Sequence, residues 1–262
     1  MMIRAASPRA IALSLVISLS VGLTGLAACS EPAEQAERPL VQEFPPGWRY
    51  PPAAPPLRAV HGMVVSTDSL ASAAGLSMLQ AGGNAVDAAV ATGFALAVVN
   101  PEAGNIGGGG FMVARMADDT RVALDYREKA PLAATADMYL DAGGRVTDAG
   151  VLGHLASGVP GSVAGMEAAW RRFGTLPWAD LLEPAVRLAR DGFVIRPRHL
   201  ASVGPRSEDI LRFPATAAVF LPGGQAPAQG SVFRQPDLAR ALESIATDGA
   251  AAFYVGWIAD ST

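Results

Sequence analysis

The segment NAVDAAVATGFALAVVNP, Asn84 to Pro101, constrains this chain more than any other stretch. It has helical composition, and apolar residues occupy nearly every face of the helix it predicts. A helix of that kind needs cover on several sides, so it belongs in the middle of a layered fold and not on a surface. Asn84 is a good N-cap, and Asp87 follows three residues later, near the positive end of the helix dipole. Pro101 stops the helix and pushes Asn100 out of helical geometry.

On either side of this helix the pattern is mixed. Met63 to Ser66 reads as a short strand, and LASAAGLSMLQAGG as a helix ended by Gly82-Gly83. Gly107 to Gly110 are four consecutive glycines, a run that permits positive φ and close backbone approach. Phe111 to Met116 and Arg121 to Tyr126 read as strands, and ADDT between them suits a hairpin turn. Helices are predicted from about Val163 to Phe173 and across LPWADLLEPAVRLARDG, where Pro184 predicts a kink or a break. A last helix follows Pro236, while Arg196 to Gly230 is rich in proline and glycine and poorly periodic. The class is α+β.

The 262 residues divide into three segments. Residues 1–28 have a positive start, Arg4 and Arg9, then an apolar run ending in small residues, the pattern of a secretory signal. Leu26-Ala27-Ala28-Cys29 resembles a bacterial lipobox, which implies a diacylglycerol on Cys29 as the mature N-terminus. An ordinary signal peptide or a retained membrane helix of roughly 20 residues are the alternatives. Residues 29–57 form a proline-rich tether, with paired prolines at 45–46, 51–52 and 55–56. Residues 58–262 are the folding part.

Half the residues are hydrophobic, enough for a sizeable core. The net charge is −4 with no basic block, which argues against nucleic acid as a partner. The single cysteine cannot form an internal disulfide, and the three histidines stand apart without metal-ligand spacing. No cofactor is expected.

Chemistry concentrates in VALDYREKAP, Val122 to Pro131. On a strand, Asp125 and Arg127 point to one face, Tyr126 and Glu128 to the other. Arg127 therefore sits at a strand end, where a guanidinium can grip a carboxylate with two parallel hydrogen bonds. A purely structural pairing of Arg127 with Asp125 or another carboxylate stands beside that reading. The glycine run fits neither G-x-x-x-x-G-K-[ST] nor G-x-G-x-x-G before a helix, because a strand follows it, and a packing turn accounts for it better. Asp87 reads as a helix-start residue, Glu102 as a loop acid, Ser66 and Thr67 as caps. Ser157 has His154 three residues before it, but a hydrolytic triad needs contacts across a fold that spacing does not supply.

Four segments in order, GNAVDAAVAT, NPEAGNIGGGGFMVAR, LDYREKAP and ASGVPGSVAGMEAAWRRFG, resemble the γ-glutamyltranspeptidases, or glutathione hydrolases. The resemblance runs from about residue 58 to 262. It implies an N-terminal nucleophile hydrolase αββα sandwich, of which this chain would hold only the N-terminal portion of the large subunit. It also implies a self-processing precursor whose small subunit begins with a threonine nucleophile; that threonine would lie beyond residue 262, so no catalytic residue is assigned here. The substrates implied are glutathione and other γ-glutamyl compounds, and Arg127 falls where the family binds the substrate α-carboxylate. With the lipobox, the expected location is the periplasm, anchored through Cys29. A cephalosporin-acylase-like amidase of the same family, or an inactive truncated lipoprotein, are the competing expectations.

Overall fold

The long apolar helix forms, and it is buried as its composition requires. In the computed structural model, which describes residues 56–103 and 105–262, it runs from Ala85 to Val99 as α2, after α1 at Ser69–Gln80. The predicted signal segment, Cys29 and all but the last two residues of the tether lie outside the described residues. Ala59–Thr262 forms one compact unit.

Local sequence sets the ends of both helices. Asp68 caps α1 by accepting from Leu70 N–H at 2.8 Å. Asn84 and Asp87 form a reciprocal capping box at α2: Asn84 Oδ1 accepts from Val86 N–H at 2.8 Å, and Asp87 Oδ2 accepts from Asn84 N–H at 2.8 Å. Asn100 leaves helical geometry at φ −136°, ψ 59°, ahead of Pro101. Gly75 lets the pair close, since a Cβ there would collide with Thr92 Oγ1 of α2.

Next comes the hairpin, β1 at Phe111–Arg115 and β2 at Arg121–Asp125, paired antiparallel with Phe111 opposite Asp125 and Arg115 opposite Arg121. Asp119 makes its turn at φ 66° and donates its N–H to Met116 O at 3.1 Å. After an irregular stretch, α3 spans Ser162–Phe173 and α4 spans Trp178–Arg190. The predicted break does not occur: α4 runs as one helix through Pro184. The carbonyl that Pro184 cannot serve belongs to exposed Asp180, while the buried face of Leu181, Leu182, Ala185, Val186 and Ala189 holds the helix in place.

The proline- and glycine-rich middle holds more order than its sequence suggests. A two-residue strand β3, Phe193–Val194, pairs antiparallel with β4, Val232–Phe233. Between them lie three short helices: α5 at Pro197–Val203, α6 at Ser207–Leu211 and α7 at Pro214–Phe220. Each is too short to reveal a 3.6-residue period. The helix α8, Pro236–Asp248, then packs on α4, followed by α9, Ala251–Tyr254, and α10, Trp257–Ser261. Trp178 Nε1 donates to Ile245 O at 2.8 Å across the α4–α8 contact, and its ring meets Phe94 of α2 edge-on at 5.5 Å.

One predicted strand is absent as such. Met63 to Ser66 is not assigned to a strand and pairs with no other among the described residues. Strand residues are stabilised by a ladder neighbour, and the segment has none there. Among the described residues no helix is long and apolar enough to cross a membrane. The observed class is the expected α+β, with α2 at the centre of the helical core and two short antiparallel pairs beside it.

Candidate substrate-binding site around Arg127

The hairpin extends one pair past its assigned strands. Gly110 and Tyr126 exchange both backbone bonds, at 3.0 and 3.3 Å. Side-chain alternation therefore continues beyond β2. Val122, Leu124, Tyr126 and Glu128 face inward and are buried or half-buried, while Ala123, Asp125 and Arg127 are exposed. This is the two-face arrangement expected of DYRE.

What fixes the DYRE backbone is a set of glycines from three parts of the chain. A Cβ on Gly109 would come within 2.7 Å of Tyr126 O and 2.8 Å of Glu128 N. One on Gly110 would press on the Tyr126 ring at 2.9 Å, and one on Gly158 on Glu128 Cβ at 2.9 Å. At Gly161 it would strike the Tyr126 carbonyl, and at Gly165, inside α3, the Tyr126 ring itself. None of Gly107 to Gly110 adopts a positive φ, so close approach, and not a special backbone conformation, is what this run supplies. The start of α3 is tied to the same run: Gly161 and Ser162 N–H donate to Gly108 O at 2.8 and 2.9 Å. Beyond the arginine, Lys129 and Val159 exchange backbone bonds at 3.1 and 2.8 Å. The packing-turn reading of the glycines is the one the geometry supports.

The Arg127 side chain projects from this rigid cradle. Its backbone N–H donates to Asp125 Oδ1 at 3.0 Å, so Asp125 serves the main chain and not the guanidinium. Its Nε donates to Glu128 Oε2 at 2.9 Å. Its two Nη groups have no hydrogen-bond partner among the described residues, and 61% of the side chain is exposed. The Phe111 ring centroid lies 5.8 Å from the guanidinium carbon. The Glu128 carboxyl is held below the ordinary glutamate range, first by its own backbone N–H, then by Arg127, with a smaller contribution from Gly109 N–H; desolvation opposes them. Burial pushes the Tyr126 hydroxyl above its usual value, and that hydroxyl donates to Phe111 O at 3.4 Å. A guanidinium held by Nε and open along its Nη edge can receive a planar carboxylate with two hydrogen bonds.

The other candidates take structural places. Asp87 accepts from Thr175 N–H at 3.0 Å and Thr175 Oγ1 at 2.6 Å, which joins the start of α2 to the α3–α4 turn. Glu102 is an exposed loop residue. Ser66 Oγ donates to Asp68 O, and Thr67 Oγ1 accepts from Asn100 Nδ2 at 3.2 Å. His154 and Ser157 share only a backbone bond, and the His154 ring stacks edge-on against Phe213 at 5.8 Å.

A buried polar cluster has no signature in local spacing. His199 Nε2 lies 3.2 Å from Asp68 Oδ2, and His199 Nδ1 accepts from Arg196 N–H at 2.9 Å. That acceptor role puts the ring proton on Nε2, pointed at Asp68. Arg198 Nε lies 3.6 Å from the same carboxylate, and its Nη2 donates to Asn100 Oδ1 at 3.2 Å. The cluster binds α5 to the start of α1 and the end of α2. Residues 131 positions apart carry no mark of such pairing.

Comparison with known proteins gives the family. The sequence profile of the family described as Gamma-glutamyltranspeptidase matches residues 71–262. The chain is 48% identical over 207 residues to a "Glutathione hydrolase proenzyme" of Pseudomonas sp. (strain A14), covering 78% of this chain and 36% of the relative. It is 44% identical over 208 residues to an "Acylase ACY 1 proenzyme" of Pseudomonas sp. (strain V22), covering 77% and 37%. The crystal structure of Helicobacter pylori γ-glutamyltranspeptidase superposes with a TM-score of 0.77 at 45% identity, over 79% of this chain and 60% of that one. The chain thus spans about a third of the length of these curated relatives, and its fold is the N-terminal nucleophile hydrolase fold, represented by its N-terminal portion. With DYRE set in a glycine cradle and a profile match over most of its described length, the chain belongs to the γ-glutamyltranspeptidase family.

Proposed function

We propose that this chain is the N-terminal part of the large subunit of a glutathione hydrolase and γ-glutamyltransferase, and that Arg127 anchors the α-carboxylate of the γ-glutamyl group. The observation that carries the reading is the open Nη edge of Arg127, held by Glu128 through Nε alone on a backbone packed between glycines. Under this reading the small subunit of the processed precursor supplies the nucleophile. A threonine hydroxyl there would attack the γ-amide carbonyl carbon while its own free α-amine takes the hydroxyl proton. The amide C–N bond breaks, the amine leaves with that proton, and water or an acceptor amine then displaces the threonine oxygen from the acyl-enzyme. Donors on that part would hold the oxyanion. Arg127 contributes by fixing the acyl group at the end remote from the reacting carbon, which orders it for attack.

The test is turnover of γ-glutamyl-p-nitroanilide by the self-processed full-length protein. Hydrolysis is expected, and Arg127→Ala is expected to weaken handling of the glutamyl head by about 1.5–3 kcal/mol, the scale of hydrogen bonds to a charged group. A processed wild-type enzyme without turnover, or an Arg127→Ala enzyme with wild-type kcat/KM, would sink the reading.

A second reading has a specific support in the similarity to the acylase proenzyme. Under it the protein is a cephalosporin-acylase-like amidase that acts on an acyl amide other than a γ-glutamyl one. Paired assays on γ-glutamyl-p-nitroanilide and on cephalosporin acyl amides separate the two.

Location is part of the proposal. Leu26-Ala27-Ala28-Cys29 supports export and a lipid on Cys29, with residues 29–57 spacing the folded unit from a membrane in the periplasm. Mass spectrometry of the mature N-terminus checks it; an unmodified terminus downstream of Cys29 would refute the anchor.

A further inference from the structure

Phe111 is a large apolar residue at this site that the core does not cover. It opens β1 directly after the glycines, and it is 63% exposed. The neighbouring Met112 turns inward and packs against the core. Register explains what the ring meets instead. Phe111 lies opposite Asp125, and Arg127 is the next residue on the same face of the partner strand, the diagonal neighbour within reach of an aromatic side chain. The ring centroid is 5.8 Å from the Arg127 guanidinium carbon. The Tyr126 hydroxyl, donating to Phe111 O, ties the same residue back to the strand that carries the arginine.

We propose that Phe111 is a positioning residue for Arg127: its ring face and the Glu128 carboxylate hold the guanidinium from two directions, so that the free Nη edge is presented in one orientation to a carboxylate. This rests on Arg127 being the carboxylate anchor and adds the residue that orients it. A long arginine side chain otherwise loses conformational freedom when it binds, and a ring that has already ordered it lowers that loss. The π face also favours the charged guanidinium electrostatically. Leucine would offer bulk without the π face; tryptophan would keep it.

The test uses the processed full-length enzyme with γ-glutamyl-p-nitroanilide, on wild type, Phe111→Leu and Phe111→Trp, with thermal unfolding confirming that each is folded. For Phe111→Leu the expected result is a rise in KM of about 3- to 10-fold, the size of an exposed to part-desolvated cation–π contact, with kcat within about twofold. The inhibition constant of free L-glutamate should rise by the same factor, and Phe111→Trp should return both to near the wild-type value. Should Phe111→Leu not fold, Phe111→Met supplies the unbranched apolar substitute and is read the same way. An unchanged KM in the aliphatic variant overturns the inference. So does a Phe111→Trp enzyme as impaired as Phe111→Leu, because shape and not the π face would then matter. An active wild type with an indifferent Phe111 removes only this inference, whereas a wild type without turnover of γ-glutamyl amides removes the functional reading and this one together.

Discussion

The carboxylate of Asp68 and the imidazole of His199 meet 3.2 Å apart inside the protein, both buried. Asp68 uses its other oxygen to cap α1, and His199 uses its other nitrogen to accept the Arg196 N–H. Replacing His199 by leucine leaves a buried acceptor without its donor and a backbone N–H without its acceptor. The expected cost is about 1–3 kcal/mol, read from urea denaturation. Asp68→Ala should cost more, since it also removes a helix cap worth about 1 kcal/mol. The reverse order would contradict the cluster as described.

Asp87 gathers donors from two separated segments, Asn84 and Thr175. Asp87→Ala should lower stability by about 3 kcal/mol or more, the scale of lost bonds to a buried charged acceptor. Thr175→Val removes one of those bonds and keeps the others, with an expected loss of about 1 kcal/mol. Denaturant midpoints for the two variants check the ranking.

The glycine cradle predicts a contrast between two alanine substitutions. At Gly165 the added methyl would occupy the space of the Tyr126 ring, so Gly165→Ala should destabilise by about 1–3 kcal/mol and disturb the Arg127 loop with it. At Gly204 nothing lies within 4 Å of the added carbon and the backbone is helical, φ −54° and ψ −52°. Pro205 follows, and a residue with a Cβ in helical geometry is disfavoured before proline, so Gly204→Ala should cost some stability but less than Gly165→Ala. Thermal unfolding of both variants decides it.

The charge pair at the site predicts a split between two conservative changes. Arg127→Lys keeps the positive charge and loses the planar fork, so KM for γ-glutamyl amides should rise by about tenfold or more. Glu128→Gln keeps the shape and weakens the hold on Nε, and its effect on KM should be smaller. Equal kinetics for Arg127→Lys and wild type would show that two-point recognition is not used.

Alkaline titration offers a further check. Burial raises the folded-state pKa of Tyr126 and Tyr254 above the ordinary tyrosine value, and Tyr254 is also bonded through its hydroxyl to Pro160 O at 2.9 Å. In the unfolded chain both titrate near about 10. The stabilisation from keeping them neutral is complete below that value and is lost as pH rises through the higher folded values. Denaturant midpoints should therefore fall as pH rises past about 10, and less steeply in Tyr126→Phe and Tyr254→Phe. A wild-type decline identical to that of both variants would count against the assignment.

Much of this protein is legible in its sequence because the responsible interactions are local. The capping box at Asn84 and Asp87, the stop at Pro101, the ADDT hairpin and the two-faced alternation that exposes Arg127 all follow from residues within a turn or a strand of each other. The motif order that marks the family is equally a property of the chain alone. Tertiary structure decided the rest, since those outcomes depend on partners far away in the chain. It joined Asp68 to His199 and Asp87 to Thr175, and it set Gly161 and Gly165 against Tyr126. It folded residues 197–220 into three helices too short to announce themselves, and it carried α4 through Pro184 on the strength of its buried face. It also left Met63 to Ser66 outside any ladder among the described residues. Periodicity reports which face of a segment avoids water, but a specific contact is selected only when distant segments compete for the same space.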